Sequence, residues 1–331
     1  LLIEARAGQV TLCSTDLANA TRVAVDVSEA SGSGAATIHR GGLLAFAKNA
    51  ARLRATLTLS CSGGKVTLSF GSRRLRSDAE GSDEYPAVPS RLSSDPVLID
   101  RKGLLELLTD VNRFSARDDS RPHMSSVLLR VSNGELFGVA TDGHRLAKIT
   151  HPVAPEGPKI DALVPRRSIA LWATMLRASK AESAALRMRE RDIELRVDRF
   201  SLTSRSADAR FPPFEQVIPT VWEREIVLPR DAMIDAAKLA SSMERCCQWL
   251  KIESEGKGTI DVSSRSQDGV EIEDSFLHDG DPFRIGVSAQ GLLDALVLGR
   301  EAHVGLRISG PLDPILLVNE RAVVVVMPTK I

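Results

Sequence analysis

The sequence predicts an α+β fold built from three copies of one unit, with helices packed on one face of mainly antiparallel sheets. Three alignments of the chain with itself carry that prediction. "LLIEARAGQVTLCSTDLANATRV" from Leu1 lies without a gap under "VLLRVSNGELFGVATDGHRLAKI" from Val127, 126 residues on (Leu2 meets Leu128, Gly8 meets Gly134, Asp16 meets Asp142). "IHRGGLLAFAKNA" from Ile38 matches "VPRRSIALWATML" from Val164 at the same offset, and "VSAQGLLDALVLG" from Val287 is a third copy, 123 residues further. "EYPAV…PVLIDRKGLLELL" from Glu84 matches "RFPPF…EIVLPRDAMIDAA" from Arg210, Val97 and Ile226 lying 129 apart.

Each unit therefore holds two strand-plus-helix halves and several alternating strands, in roughly 125 residues. The expected domains are 1–92, 93–220 and 221–331, with boundaries in the proline-bearing connections near 86–96 and 212–223. In the first copy, "LLIEA" reads as the middle of a strand and the opening strand and helix are missing. Counting 129 back from Val97 places the start of that unit near −32, so the expectation is that roughly thirty residues precede Leu1. Helices are expected over 38–54, 164–180, 230–245 and 287–303.

The chain has 331 residues, 43% apolar and 26% charged, with formal net charge zero. That is an ordinary globular mixture. It argues against a duplex binder relying on overall positive charge, though a local basic surface is compatible with it. The cysteines, Cys13, Cys61, Cys246 and Cys247, form no C-x-x-C pair and fit a reducing cytosol. The longest apolar run, "AVVVVM" at 322–327, has strand length, far below the roughly 20 residues of a spanning helix. The acidic stretch 266–281 does not follow a calcium-loop spacing and reads as strand plus loop. No metal or cofactor is expected.

"VATDGHRLAKI" (139–149) groups Asp142, His144 and Arg145 beside a glycine, as a hydrolase site would. The repeat weighs against that reading. Thr-Asp recurs at Thr15–Asp16 without the histidine, so its role is that of a polar turn whose side chains bond nearby backbone groups. Gly143, His144, Arg145 and Leu146 belong to the second unit alone. No nucleophile stands in a recognised motif.

"ATDGHRLA" (140–147), "VPRRSI" (164–169), "RFPPFEQVIP" (210–219) and "VVVVMPTKI" (323–331), in that order and with the threefold repeat, resemble the bacterial sliding clamps, the β subunits of DNA polymerase III. The resemblance implies three clamp domains per subunit and a head-to-tail homodimer, a six-domain ring with sheets outside and helices lining the pore around double-stranded DNA. It implies a non-catalytic processivity factor in the bacterial cytoplasm. Its partners would be the polymerase III alpha subunit, the clamp loader, and other polymerases and repair proteins that insert short hydrophobic peptides between domains 2 and 3. A clamp paralogue serving repair or inhibitor resistance is the alternative.

A sliding ring should touch phosphates and avoid base edges. The first copy's helix segment carries Arg40, Lys48, Arg52 and Arg54 and no carboxylate, with Lys48 and Arg52 four apart on the face opposite a stripe of Leu43, Phe46, Ala47, Ala50 and Leu53. In the second, Arg166 and Arg167 stand where the helix starts, where cations do not favour helix stability. Lys48, Arg52, Arg166 and Arg167 are the expected DNA-facing residues. The resemblance places Met124, Thr141, Gly143, His144, Arg145, Leu146, Pro212, Val217, Leu312, Val325, Val326, Met327, Pro328, Thr329 and Ile331 in the peptide cleft.

The sequence departs from better-known members at its Thr329-Lys330-Ile331 ending, a conservative replacement of a more usual Met-Arg-Leu, and at three other positions. Gln216 stands for a common basic residue and Pro213 for an acidic one. Gly291 stands for a larger, often aromatic gate, which implies a wider groove. Val323–Val326 reads as an edge strand of the third domain. Trp172 and Trp249 read as core residues, and Cys246 and Cys247 as small buried thiols. His39, His123, His151, His278 and His303 receive no role.

Overall fold

The computed structural model describes residues 1–6, 8–88, 94–154, 158–242, 249–256, 259–265, 271–277 and 280–330. The first repeat runs β1 (Leu2–Arg6), β2 (Gln9–Thr15), β3 (Asn19–Asp26), β4 (Gly34–Ile38), α1 (Leu43–Arg52), β5 (Thr58–Ser62), β6 (Lys65–Phe70) and β7 (Arg73–Glu80). The second opens with β8 (Val97–Asp100) and α2 (Arg101–Val111). It continues with β9 (Ser126–Ser132), β10 (Glu135–Thr141), β11 (Arg145–Pro152), β12 (Ile160–Pro165) and α3 (Arg166–Ala178). It closes with β13 (Ser183–Arg189), β14 (Asp192–Val197) and β15 (Phe200–Arg205). The third opens with β16 (Arg224–Pro229) and α4 (Arg230–Ser241), followed by β17 (Trp249–Ser254), β18 (Thr259–Arg265), β19 (Glu271–Leu277) and β20 (Phe283–Ser288). It closes with α5 (Ala289–Leu296), β21 (His303–Ile308), β22 (Ile315–Val318) and β23 (Ala322–Val326). Element follows element in the same order each time, so β3, β11 and β19 hold equivalent places, as do β7, β15 and β23.

Contacts divide the chain into two compact units, Leu1–Arg101 with Met175–Arg205, and Lys102–Thr174 with Ser206–Ile331. These follow the sheets rather than the repeat boundaries. The first unit holds an 11-stranded sheet in the order β5-β6-β7-β4-β1-β2-β3-β15-β14-β13-β8. The first and second repeats meet in it through antiparallel β3 and β15, from Phe200↔Val23 to Ser204↔Asn19. The second unit holds an 8-stranded sheet, β12-β9-β10-β11-β23-β22-β21-β16, and a 4-stranded one, β19-β18-β17-β20. Its second and third repeats meet through antiparallel β11 and β23, from Arg145↔Val326 to Ile149↔Ala322.

That pairing corrects the expectation for Val323–Val326. The strand is interior, with β22 on one side and β11 on the other. A strand edge exposes a row of unmet N–H and C=O groups, and the neighbouring repeat meets them here.

The helices are shorter than their amphipathic segments. α1 begins at Leu43 because Ile38 belongs to β4 and Gly42 adopts a left-handed backbone, φ 71°. Its inward side is Leu43 and Phe46, half-buried, and Ala50, buried; Ala47 and Leu53 face solvent, which narrows the expected stripe. Likewise Val164 ends in β12 and His303 in β21. α4 ends at Ser241; Cys246 and Cys247 lie outside the described residues. Of the acidic stretch, 271–277 forms β19. Trp172 is fully buried as expected, whereas Trp249 is only half-buried.

Candidate functional site

The Thr-Asp turns of the first two repeats are bonded alike, atom for atom. Thr141 Oγ1 donates to the carbonyl of Arg145 (2.8 Å) and accepts from Gly143 N (3.1 Å), while Asp142 Oδ1 accepts from the backbone N–H of His144 (3.0 Å) and Arg145 (3.1 Å). In the first repeat Thr15 Oγ1 donates to Asn19 O (2.9 Å) and accepts from Leu17 N (3.0 Å), and Asp16 Oδ1 accepts from Ala18 N (3.0 Å) and Asn19 N (2.6 Å). Asp142 thus bonds backbone and the Arg145 side chain (Nε to Oδ2, 2.9 Å). The carboxylate is occupied in holding the turn, and no Asp–His dyad forms.

Cross-strand pairing then sorts the expected cleft residues onto two sheet faces. Directly opposed residues share a face and successive ones alternate. Thr141 opposes Leu146, Leu146 opposes Val325, and Val325 opposes Leu316, giving one row across β10, β11, β23 and β22. Leu146, Val325 and Leu316 join Leu128, Val139, Leu163 and Phe137 in a buried cluster under Phe214. Phe214 opens a short 3₁₀ turn, Phe214–Val217, and lies 6.4 Å from the Phe137 ring and 6.2 Å from that of Phe211. Pro212, half-buried, and Val217, 46% exposed, flank it. This face is an apolar floor crossed by the segment 206–218. A cavity of about 830 Å³ adjoins it, lined by Leu128, Leu163, Ala207, Phe211, Pro212 and Phe214 among others.

Arg145 and Val326, also opposed, lie on the other face, the one that α5 covers. Gly291 of α5 is buried, and a Cβ there would come 3.3 Å from Val326 Cγ1. The missing side chain therefore leaves room for a strand, not for a wider groove. Arg145 donates from Nη1 to Asp294 Oδ2 of α5 (2.5 Å) and to Gln290 O (3.4 Å), and from Nη2 to Arg113 O (2.9 Å), with its guanidinium over the Phe114 ring (5.2 Å). Every nitrogen of that guanidinium has a protein partner.

The rim is closed by backbone. Met327 N donates to the carbonyl of His144 (2.8 Å) and Thr329 N to that of Gly286 (2.8 Å), while Pro328 bridges Val287. The His144 side chain is exposed and Met327 is 37% exposed. Gly143, at φ 93°, presents bare backbone beside Met124, whose Cε and Sδ would lie 3.7 and 3.9 Å from a Cβ at that position. Leu312, 66% exposed, sits between β21 and β22. Ile331 lies outside the described residues.

Asp294, Arg113, Phe114, Phe214 and Leu316 complete the site without having been singled out from sequence. Phe214 stands inside "RFPPFEQVIP", whereas β22 reads Ile-Leu-Leu-Val with no alternation to assign Leu316 to a face. Asp294 had no sequence signal linking it to Arg145, 149 residues away.

Lys48 and Arg52 are exposed on α1. Arg166 and Arg167 form the first turn of α3, where Arg167 pairs with Asp119 (2.7 Å) and the half-buried Arg166 keeps a buried Nε without a hydrogen-bond partner. Among the described residues no group of His, Cys, Asp and Glu has the arrangement of a metal site, and no helix is long and apolar enough to cross a membrane.

Residues 98–213 match the family model of the DNA polymerase III beta subunit, central domain. The Beta sliding clamp of Pseudomonas putida is 25% identical over 338 aligned positions, covering 100% of this chain and 91% of that protein. That of Caulobacter vibrioides is 29% identical over 280, covering 80% and 73%. Among solved structures, the DNA polymerase III subunit beta of Pseudomonas aeruginosa superposes with a TM-score of 0.89 at 22% identity over 100% of this chain and 91% of that one. The beta subunit of Thermotoga maritima gives 0.88 at 22%, over 100% and 90%. A further P. aeruginosa sliding clamp of the same fold, TM-score 0.89 at 22% identity over 100% and 90%, was solved bound to griselimycin.

Proposed function

Because this chain belongs to the family of DNA polymerase III beta subunits, we propose that it is a DNA sliding clamp: a non-catalytic ring, closed by two copies head to tail, that encircles duplex DNA and tethers polymerase to it. Each copy contributes domains 1–92, 93–220 and 221–331. Net charge of zero suits a ring, which retains DNA by topology and needs little affinity at each phosphate. Lys48, Arg52, Arg166 and Arg167 supply sequence-independent phosphate contacts.

One observation carries the ring. The strand equivalent to β15 and β23 pairs with the strand equivalent to β3 and β11 wherever two consecutive repeats meet. The same rule applied once more pairs β7 of one copy with β19 of another. Both have room for it. β7 is paired with β4 only at Ala79 and Glu80, leaving Arg73–Asp78 without a second neighbour among the described residues, and β19 is an outer strand. Their charges are complementary: Arg73, Arg74 and Arg76 on β7, Glu271, Glu273 and Asp274 on β19. A head-to-tail interface used twice closes a twofold ring.

The apolar floor at Leu146, Val325 and Phe214, rimmed by His144, Met327 and the bare backbone of Gly143, is the docking groove for short hydrophobic peptides of the polymerase alpha subunit, the clamp loader and repair proteins. Methionines at its edge, Met124 and Met327, adapt to different side chains. The test is topological. Full-length protein loaded by a clamp loader onto a nicked circular plasmid should stay bound in high salt and be released when the plasmid is linearised. Release that ignores linearisation would exclude an encircling ring.

A further inference from the structure

The two walls of the groove are joined by a chain of charges that alternates in sign. Asp142 Oδ2 meets Arg145 Nε (2.9 Å), and Arg145 Nη1 meets Asp294 Oδ2 (2.5 Å). Asp294 Oδ1 faces Arg113 Nη1 (3.8 Å), and Arg113 Nε faces Asp110 Oδ1 (3.8 Å). Asp110 Oδ2 meets Arg321 Nη2 (2.6 Å), Arg321 Nη1 faces Glu106 Oε2 (3.7 Å), and Glu106 Oε2 meets Arg300 Nη2 (2.8 Å). Asp142, Arg145, Arg113, Asp110 and Glu106 come from the second repeat; Asp294, Arg321 and Arg300 from the third. Exposure is lowest at the Arg145–Asp294 pair and highest at the far end. The Asp294 and Arg145 side chains are 11% and 15% exposed, whereas Arg300 is 75% exposed. Solvent screens the far end, and the Arg145–Asp294 end is where charge matters.

We propose that Asp294 is a positioning residue for peptide binding: it holds Arg145, and through Arg145 the turn that sets the groove's rim. The proposal rests on the groove reading given above. Arg145 is the hinge pin of that rim. Its carbonyl accepts from Thr141, its N–H donates to Asp142, and the preceding carbonyl, that of His144, holds Met327. Its guanidinium is anchored outside the turn by Asp294, Gln290 O and Arg113 O. Without the Asp294 charge, a mostly buried guanidinium keeps Asp142 as its main counter-ion, and breaking one partner of such a pair destabilises its geometry. Arg145 is therefore a brace behind the groove, and its donors are not free for a bound peptide. The polar contact offered to a peptide on this wall comes from His144 and the backbone of Gly143.

The test is fluorescence anisotropy on the full chain with a labelled synthetic peptide carrying the hydrophobic clamp-binding segment of a polymerase alpha subunit. Melting temperatures of every variant are read separately, and binding is measured well below them. Asp294→Asn, nearly isosteric, should weaken binding about tenfold, within the usual range of coupling between sites. Asp294→Glu, which keeps the charge, should recover most of that loss. Adding Arg145→Lys to Asp294→Asn should weaken binding no further than the worse single change, as partners in one network do. Met327→Glu, at an exposed groove position, is the control and should abolish binding. If Asp294→Asn binds within about twofold of the parent while Met327→Glu does not bind, the groove stands and the positioning role falls. If Met327→Glu binds like the parent, the groove reading fails and takes this proposal with it.

Discussion

Met327 donates its backbone N–H to the carbonyl of His144 at 2.8 Å, and the first repeat junction makes the same bond, Arg205 N to Ala18 O at 2.9 Å. The backbone is one design used twice. The turn differs in what stands at its tip. Leu17, 76% exposed at φ 73°, occupies the place of Gly143 at φ 93°. A leucine side chain stands at the tip of the first turn, where the second leaves bare backbone.

Gly143→Leu should therefore fold, because the first repeat already accommodates leucine in a left-handed conformation. It should cost about 1–2 kcal/mol of stability and weaken peptide binding by an order of magnitude or more. A thermal melt and a peptide titration read the two effects. Parent-like affinity would remove Gly143 from the groove.

Phe214→Ala should destabilise the second unit by about 3–5 kcal/mol, as large-to-small changes in a core do. Phe214 is 4% exposed and caps the cluster containing Leu146 and Val325. Urea unfolding measures the loss. A change below about 1 kcal/mol would mean that segment 206–218 is not fastened to the sheet by this ring.

Deleting Met327–Ile331 removes the bonds to His144 and Gly286 but leaves β23 in its sheet. Peptide binding should vanish while light scattering still reports a dimer. Unchanged affinity would place the groove elsewhere; loss of the dimer would mean that the tail serves assembly.

Asp16 gives a pH dependence of defined sign. Partial burial pushes its carboxyl up, but hydrogen bonds from Asn19 and Ala18 outweigh that and hold it below its ordinary value of 3.8. A depressed folded value means stabilisation that is present above 3.8 and lost as pH falls through the folded value. Asp16→Ala should thus be less stable than the parent at neutral pH, and the gap should close in acid. A gap that stays constant to about pH 2 would rule out the carboxylate as its source.

Arg166→Gln and Arg167→Gln should each flatten the salt dependence of direct binding to a linear duplex, where topology retains nothing. The logarithmic slope changes by about 0.9 for each phosphate that is no longer neutralised. An unchanged slope would show that the first turn of α3 does not meet DNA.

The polar-turn reading of Thr141 and Asp142 was legible because a second copy repeats the pair without the histidine, and the hydrogen bonds agree at both turns. The opening turns of helices were legible at Arg166, but not at Ile38, where amphipathic spacing ran on into β4. Trp249 looked like core because tryptophan usually is, yet sequence gives no measure of how much of a ring its neighbours cover.

The sequence by itself determined the threefold repeat, the α+β class and the turn chemistry, because these follow from local periodicity and from copies that can be laid over one another. Tertiary structure decided three things. It made β23 an interior strand, set Val325 in the cluster under Phe214 and Val326 against α5, and tied Arg145 to Asp294. Each depends on which distant strand pairs with which and in what register. A one-residue change of register turns every side chain to the other face, and local periodicity does not specify a partner more than a hundred residues away.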